Sequence, residues 1–246
     1  MKRIDSSRMN RRAFLRAAAA GTALAIAGLP LRALAASGPK MKIGVIGSGH
    51  VGGTLGSVWV RAGHEVMFSS TDLEHDRKLA ASLGPNARAG TPREAAAFGD
   101  VLLVSVPYSA LPSVGKDIGD LIKGKIIIDT SNPIPNRDGE MAVAAREKGA
   151  GLASAEYLPG ARIVRAFNAV GYMRMAEASK PGERYGMPIA AEDPKAVEAA
   201  TPLIRDIGYE PVLVGGYAMG KYLIPGTPLA GEHSPEEIRK IAATLK

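Results

Sequence analysis

The fold of this chain is decided by residues 41–52, which read MKIGVIGSGHVG. A short apolar strand leads into a G-x-G-x-x-G turn, and the turn opens a helix. Gly47 permits the tight turn, Gly49 lets the backbone approach a pyrophosphate closely, and Gly52 lets the helix pack on the strand. The free N–H groups and the dipole at the start of the helix then favour an anion. The residues predicted to hold the pyrophosphate of a dinucleotide are Gly47, Ser48, Gly49, His50, Val51 and Gly52.

The sequence on both sides of the turn supports this prediction. Residues 43–46 form the nearly continuous apolar run that is typical of a parallel strand covered on both faces. Beyond the turn, apolar residues recur at helical spacing as far as Gly63, and residues 65–68 begin a second strand. The stretch therefore has the organisation of a βαβ unit of about 30 residues.

The residues at the end of the second strand favour NADP over NAD. An enzyme that prefers NAD places an Asp or Glu on the ribose hydroxyls about 20 residues past the glycines, whereas this chain has Ser69, Ser70 and Thr71. Their hydroxyls offer donors to a 2′-phosphate and remove the carboxylate that would repel it. Three acidic residues nearby complicate this interpretation. Arg77 and Lys78 either pair with the phosphate or form an ordinary solvated helix face, and both alternatives stay open.

The first 35 residues have the pattern of an export signal. Residues 10–16 read NRRAFLR, an uncharged stretch follows over 17–31, and a small-x-small cleavage pattern, ALA, stands at 33–35. This pattern is typical of twin-arginine export. The apolar stretch is shorter than the roughly 20 residues of a membrane-spanning helix, so a stable membrane anchor is the disfavoured alternative. We expect a mature chain that starts near Ala36 and is periplasmic or extracellular.

Composition excludes several classes of function. The net charge of +7 comes from the leader, because residues 1–35 hold seven Lys or Arg against one Asp, and the remainder holds 24 basic and 23 acidic residues. A nearly neutral mature chain gives no support to nucleic-acid binding. The chain has no Cys, which removes disulfides, thiolate metal sites and a cysteine nucleophile. The four His are scattered, so no catalytic residue and no metal site is predicted.

The rest of the chain alternates between strand and helix patterns. Predicted strands lie at 87–89, 101–106, 125–129, 161–168, 185–190 and 211–214, and predicted helices at 92–98, 109–122, 140–148, 194–207 and 236–245. This order predicts an α/β fold with a Rossmann-type, doubly wound, mostly parallel sheet that binds ligands at the carboxyl ends of its strands. We expect a dinucleotide-binding domain over 41–180 and a small C-terminal α/β extension over 181–246.

Polar or strand-ending residues follow three of the predicted strands. Val106 and Pro107 leave the fourth strand where a nicotinamide would lie, Asn132 leaves the fifth, and Asn168 ends the sixth. Pro107 and Asn132 are predicted to frame the nicotinamide, and Asn168 to face the acceptor. The alternative for Asn132 is a turn cap, as Asn before Pro often is. The segment 215–231, rich in Gly, Pro and Tyr, either lines a flat aromatic substrate or is a packed surface loop.

Five motifs occur in order along the chain: KIGVIGSG at 42–49, AGHEV at 62–66, VSVP at 104–107, IDTSNP at 128–133 and VRAFN at 164–168. With these motifs the chain resembles the NADP oxidoreductases that depend on the deazaflavin coenzyme F420, whose fold also forms the reductase domain of the STEAP metalloreductases. The resemblance implies hydride transfer between NADP and a stacked deazaflavin or flavin ring, with the nicotinamide near the loops after Val106 and Asp129. Thr71 stands where similar sequences have an arginine on the 2′-phosphate.

These observations lead to one main functional hypothesis and two alternatives. The main hypothesis is an exported NADP(H)-dependent reductase that transfers a hydride to or from a small-molecule redox co-substrate, either F420 or a flavin. The alternatives are a non-catalytic NADP-binding or sensor module and a dehydrogenase of a small hydroxy acid or imine. The second alternative needs a Lys or His near the nicotinamide, and the sequence offers none there. A homodimer is an expectation from the resemblance alone.

Overall fold

A computed structural model describes residues 39–178 and 184–245 of the chain. The predicted export signal at 1–35 and the predicted domain boundary at 180 lie outside the described residues. The strands are β1 (Lys42–Ile46), β2 (Glu65–Ser69), β3 (Ala87–Ala89), β4 (Val101–Val104), β5 (Ile126–Asp129), β6 (Arg162–Arg165), β7 (Gly186–Ala191) and β8 (Glu210–Gly215). The α-helices are α1 (His50–Arg61), α2 (Leu73–Leu83), α3 (Pro92–Phe98), α4 (Leu111–Ile118), α5 (Pro135–Asp138), α6 (Glu140–Lys148), α7 (Ala150–Tyr157), α8 (Tyr172–Ala178), α9 (Pro194–Ile207) and α10 (Pro235–Thr244).

The strands form one sheet in the order β3-β2-β1-β4-β5-β6-β7-β8. The first six strands are parallel, β7 runs antiparallel to β6, and β8 is parallel to β7. The prediction of a mostly parallel, doubly wound sheet is therefore confirmed. The strand order reverses between β1 and β4, so the carboxyl ends of β1, β4, β5 and β6 border one crevice, where such sheets bind their ligands.

Apolar side chains cover both faces of the sheet. On one face α1 and α9 pack against alternate residues of β1, β4 and β7, and the buried indole of Trp59 donates a hydrogen bond to Leu203 O at 2.9 Å. On the other face α3, α4 and α7 cover the intervening residues of the central strands. Burial on both faces explains the nearly continuous apolar runs of the strands. The packed sheet gives the strand ends fixed positions.

Helix caps agree with the sequence where the local signals are strong. Thr91 and Ser234 each cap a helix in a capping box, with Pro at the first helical position of α3 and α10. None of the helices in the described residues is long and apolar enough to cross a membrane.

Three predicted elements are shorter than expected, and three helices, α5, α7 and α8, were not predicted. The strands predicted at 101–106 and 161–168 end at Val104 and Arg165, and the helix predicted at 109–122 begins with 3-10 geometry at Tyr108–Ala110 and ends at Ile118. The helices α7 and α8 lie in stretches without a clear apolar stripe. Gly151 of α7 explains why: an added Cβ would come 2.3 Å from Tyr217 O. The helix packs through small residues and close backbone contact.

Candidate functional site

The three glycines of the turn have the geometry that their predicted tasks require. Gly47 has a φ of +96°, which favours glycine. A Cβ at Gly52 would come 2.0 Å from Gly47 O, so the close contact of α1 with the turn requires glycine there. A Cβ at Gly49, by contrast, would meet nothing within 4 Å. The space above Gly49 is open, as close approach of a pyrophosphate needs.

The backbone around the turn directs N–H groups toward an anion. The amides of Gly47 and Ser48 donate to Ser69 O at 2.8 and 3.1 Å, which holds the turn against β2. The N–H groups of the residues that open α1, from His50 to Gly52, have no preceding carbonyl within the helix. No acidic residue lies in this first turn. Together the free donors and the helix dipole favour a phosphate group at this position.

A cavity of about 600 Å³ opens beside the turn. It runs along α1 toward α2 and α8, and its walls include Gly49, His75, Leu79 and Ala176. None of its lining residues comes from the loops after β4, β5 or β6. The ring of His50, at the mouth of the turn, stacks on Tyr172 with ring centroids 4.8 Å apart. The cavity therefore adjoins the phosphate end of the site only.

The residues predicted to bind a 2′-phosphate differ in what they can offer. Ser69 is fully buried, and its hydroxyl donates to Val45 O at 2.6 Å, so it departs from the expectation of a phosphate ligand. Ser70 is half-buried and donates to Asp76 Oδ2 at 2.9 Å. Thr71 is exposed. Arg77 is exposed on α2, 3.8 Å from Glu74, so the structure does not bring it onto the end of β2.

Sequence reasoning assigned no role to Asp76, which joins the turn to the end of β2. Its side chain is fully buried and accepts hydrogen bonds from the hydroxyls of Ser48 and Ser70. The residue lies in the first turn of α2. No sequence signal indicates that Asp76 is buried, because its neighbours in sequence are charged and exposed.

The carboxyl end of β4 lies next to the glycine turn. A Cβ at Gly47 would come 2.9 Å from Val106 Cγ1, and the Ser105 amide donates to Ile46 O at 2.8 Å. Pro107 follows in extended conformation and is exposed. The structure thus brings Val106 and Pro107 to the edge of the crevice, beside the residues of the turn.

The two asparagines predicted to face the crevice contact each other. Asn132 Nδ2 donates to Asn168 O at 2.8 Å, and Asn168 is almost fully buried. Within the described residues, five buried side-chain atoms have no hydrogen-bond partner, and four of them lie at this point: Ser131 Oγ, Asn132 Oδ1, Arg165 Nε and Asn168 Oδ1. Buried polar atoms normally have partners. A ligand with amide or hydroxyl donors suits the two acceptors Asn132 Oδ1 and Asn168 Oδ1.

The backbone next to Asn168 is strained. Phe167 has a φ of +64°, and no other non-glycine residue of the described chain has a positive φ. Such a conformation costs about 1–3 kcal/mol and is found most often at functional sites. Here it turns the chain away from β6 and brings Asn168 against the loop after β5. This turn in the backbone explains why the strand ends before the predicted polar residue.

A buried ion pair lies beneath the two asparagines. Arg165 Nη1 donates to Asp129 Oδ2 at 2.5 Å and to Ser154 Oγ at 3.1 Å, and Arg165 Nη2 donates to Ser131 O at 3.0 Å. The side chains of Arg165 and Asp129 are both fully buried. The pair fixes the loop that carries Ser131 and Asn132. Arg165 has no assigned role in the sequence prediction.

A second carboxylate joins the loops after β4 and β5. Asp138 accepts hydrogen bonds from the amide and hydroxyl of Ser109, from the Ile134 amide and from the Arg137 guanidinium. Burial alone would raise the pKa of Asp138, but the hydrogen bonds from Arg137, Ile134 and Ser109 outweigh it and lower the pKa to about 2. Arg137 Nη2 also donates to Asn132 O at 2.8 Å. The predicted nicotinamide loops are therefore held together.

Two titratable side chains of the described residues, His64 and Tyr108, are buried and engaged in structural hydrogen bonds. His64 is buried at the amino edge of the sheet, where Nδ1 accepts from the Met41 amide and Nε2 contacts Asp206 at 2.8 Å. Burial raises the pKa of Tyr108 to about 12, and its hydroxyl donates to Ala150 O. In the described residues, no group of three or more His, Cys, Asp or Glu is placed to hold a metal ion. The side chains of the crevice therefore suit a reaction in which two ligands are positioned against each other.

The segment 215–231 is a packed loop in the structure. It includes a 3-10 helix over Tyr217–Tyr222, and the Tyr217 hydroxyl accepts a hydrogen bond from the Ile163 amide at 3.2 Å. The Tyr217 amide in turn donates to Glu192 Oε1 at 2.7 Å. Both the hydroxyl and the amide of Tyr217 are thus engaged in hydrogen bonds within the protein.

The chain is similar to known oxidoreductases. Residues 42–133 match the family described as NADP oxidoreductase, coenzyme F420-dependent. The chain is 30% identical over 203 residues to the F420-dependent NADP reductase of Methanothermobacter thermautotrophicus, which covers 77% of this chain and 87% of that protein. It is also 27% identical over 187 residues to the metalloreductase STEAP3 of Rattus norvegicus, covering 73% of this chain and 35% of that protein.

The fold also resembles a solved structure of a hypothetical protein from Sinorhizobium meliloti. The TM-score is 0.66 at 22% identity, with 78% of this chain and 93% of that chain covered. This likeness concerns the fold alone.

Proposed function

The chain belongs to the family of F420-dependent NADP oxidoreductases, and from this premise we propose that it transfers a hydride between NADP(H) and a deazaflavin or flavin ring. The family makes the chain an NADP-dependent oxidoreductase. The identity of the ring that exchanges the hydride is the part we propose. The observation that carries it is the 30% identity to an F420-dependent NADP reductase over most of both chains. The open turn at Gly49 and the orphaned acceptors at Asn132 and Asn168 support the dinucleotide half of the proposal.

The residues present fit a nicotinamide dinucleotide. The open position of Gly49 and the free N–H groups that begin α1 suit its pyrophosphate. Asn132 Oδ1 and Asn168 Oδ1 are acceptors without partners, and the carboxamide of a nicotinamide is a donor. NADPH, when bound, supplies a hydride from its nicotinamide ring. The residues of the chain hold and orient the nicotinamide and its partner ring, as direct hydride transfer requires. They need not move a proton.

NADPH oxidation, followed by absorbance, tests the proposal. The purified chain is supplied with NADPH and, in parallel, with F420, FMN or a ferric chelate. We expect turnover with F420 or FMN. Turnover with the ferric chelate alone contradicts a ring acceptor, and saturable NADPH binding without turnover by any acceptor supports a sensor module instead. In a further parallel assay, turnover of NADPH with a small imine or a small oxo acid, but with none of the other acceptors, supports the dehydrogenase alternative.

We also propose that the enzyme is exported with its cofactor bound. The twin-arginine pattern of residues 10–16 supports export. Cell fractionation tests this: the doubly substituted Arg11→Lys, Arg12→Lys chain should stay in the cytoplasm, and an unchanged distribution contradicts export by this route.

A homodimer is a further proposal, and it rests on the family resemblance. Sedimentation of the purified chain over a range of concentrations tests it. A mass twice that of one chain supports the dimer, and a constant single-chain mass contradicts it.

A further inference from the structure

Two serines at the adenosine end of the site share one buried carboxylate. Ser48, in the phosphate turn, donates its hydroxyl proton to Asp76 Oδ1, and Ser70, just after β2, donates to Asp76 Oδ2 at 2.9 Å. Asp76 is fully buried, while Ser70 is half-buried and reachable by a ligand. Asp76 therefore acts on any ligand at the end of β2 through Ser70.

A count of protons decides what Ser70 can offer a ligand. A serine hydroxyl has one proton to donate and two lone pairs that accept. The acceptors placed for the proton of Ser70 are Asp76 Oδ2 and Asp72 O, and one lone pair accepts from the Asp72 amide at 3.1 Å. What remains is a single lone pair. Ser70 can accept a hydrogen bond from a ribose hydroxyl, but it has no proton for a phosphate oxygen.

The charges around Ser70 also favour a ribose hydroxyl over a phosphate. No Lys, Arg or His side chain of the described residues lies within 4 Å of the Asp76 carboxylate. The guanidinium of Arg77 is exposed and lies 3.8 Å from Glu74 on the same helix face. The hydroxyl of Ser69 is committed to Val45 O. A 2′-phosphate at the end of β2 would thus lie near the buried carboxylate of Asp76, and the exposed Thr71 hydroxyl is the donor that this segment still offers it.

We propose that Asp76, acting through Ser70, is a specificity-determining residue that makes the ribose subsite an acceptor for a free 2′-hydroxyl. As a result the chain binds NAD(H) about as tightly as NADP(H). The proposal rests on the proposed function in one respect, namely that a nicotinamide dinucleotide occupies the phosphate turn. It adds a second cofactor to the one that the family name gives.

The test is a pair of binding constants. Kd for NADH and for NADPH is measured by fluorescence titration on the wild-type chain, on Asp76→Asn and on Asp72→Asn. We expect wild-type values within about tenfold of each other. Asp76→Asn should shift the ratio by about tenfold toward NADPH, since an amide gives one serine its proton back and removes the charge. Asp72→Asn is the matched control, because it removes an exposed charge in the same segment and leaves both serines bound to Asp76.

The variant Ser70→Ala keeps the proposal testable if Asp76→Asn folds poorly. It should weaken NADH binding more than NADPH binding. A wild-type preference for NADPH of about a hundredfold or more overturns the proposal, and so does an Asp76→Asn chain that folds and keeps the wild-type ratio. Failure of both nucleotides to bind the wild-type chain contradicts the proposed function itself, so the two failures are distinguishable.

Discussion

The guanidinium of Arg165 meets the carboxylate of Asp129 at 2.5 Å, and neither side chain reaches solvent. The contact joins the ends of β6 and β5 directly beneath Asn132 and Asn168. Removing one partner of a buried ion pair leaves the other charge buried and unpaired, which costs much more than the pair itself contributes.

Replacing Arg165 with Met should therefore destabilise the fold strongly. We expect a loss of about 3–5 kcal/mol in the free energy of unfolding, measured by urea denaturation. Arg162→Met is the matched control on the same strand, because its pair with Asp193 is partly exposed and should contribute about 1 kcal/mol or less. Equal losses in the two variants would contradict a special role for the buried pair.

Asp138 should make stability dependent on pH in the acid range. Its pKa is lowered from near 3.8 to about 2, so its hydrogen bonds stabilise the fold fully above about pH 4 and lose that effect as pH falls toward 2. The shift corresponds to roughly 2 kcal/mol at neutral pH. Urea denaturation of wild type and Asp138→Asn at pH 7, 5, 4 and 3 should give a constant difference down to pH 5 and a smaller one below pH 4. The control is Asp117→Asn, which removes an exposed carboxylate on α4. A stability difference between wild type and Asp138→Asn that grows on acidification would contradict the lowered pKa of Asp138.

Asn168 should contribute to nicotinamide binding and to no other part of cofactor binding. Asn168→Ala removes a buried acceptor, and we expect it to weaken NADP binding by about tenfold. The affinity for 2′-phospho-ADP-ribose, which lacks the nicotinamide, should be unchanged. The exposed Asn136 of α5 supplies the control, Asn136→Ala. If both ligands lost affinity equally, the role of Asn168 would be structural.

Gly52 should contribute to the stability of the fold. An added Cβ would lie 2.0 Å from Gly47 O and 3.1 Å from Val45 Cγ1, so Gly52→Ala forces the turn and α1 apart. We expect a loss of about 1–3 kcal/mol, seen as a lowered Tm. At Gly171 a Cβ meets nothing within 4 Å, so Gly171→Ala should leave Tm nearly unchanged. An unaltered Tm for Gly52→Ala would show that the contact is not tight.

Local sequence signals are enough to predict the fold and the glycine turn that opens α1. The glycine spacing, the apolar strands and the Thr91 and Ser234 caps each depend on residues a few positions apart. The family resemblance then located the loops after Val106 and Asp129. The antiparallel direction of β7 could not be read from its composition, because buried strands of either direction are apolar on both faces.

The support beneath the site could not be predicted in the same way. Asp76, Asp138 and Arg165 contact partners that lie 28, 29 and 36 residues away in the sequence. In the sequence alone each looks like an ordinary charged residue. The same limit applies to Ser69, whose hydroxyl is taken by the adjacent strand.

The central claim is that a nicotinamide dinucleotide binds with its pyrophosphate on Gly49, and one titration tests it most directly. NADPH is titrated into wild type and Gly49→Val, with Tm measured on both. Because a Cβ at Gly49 meets nothing in the protein, the variant should keep a Tm close to that of wild type and lose saturable NADPH binding. A folded Gly49→Val chain that binds NADPH with unchanged affinity would contradict the account.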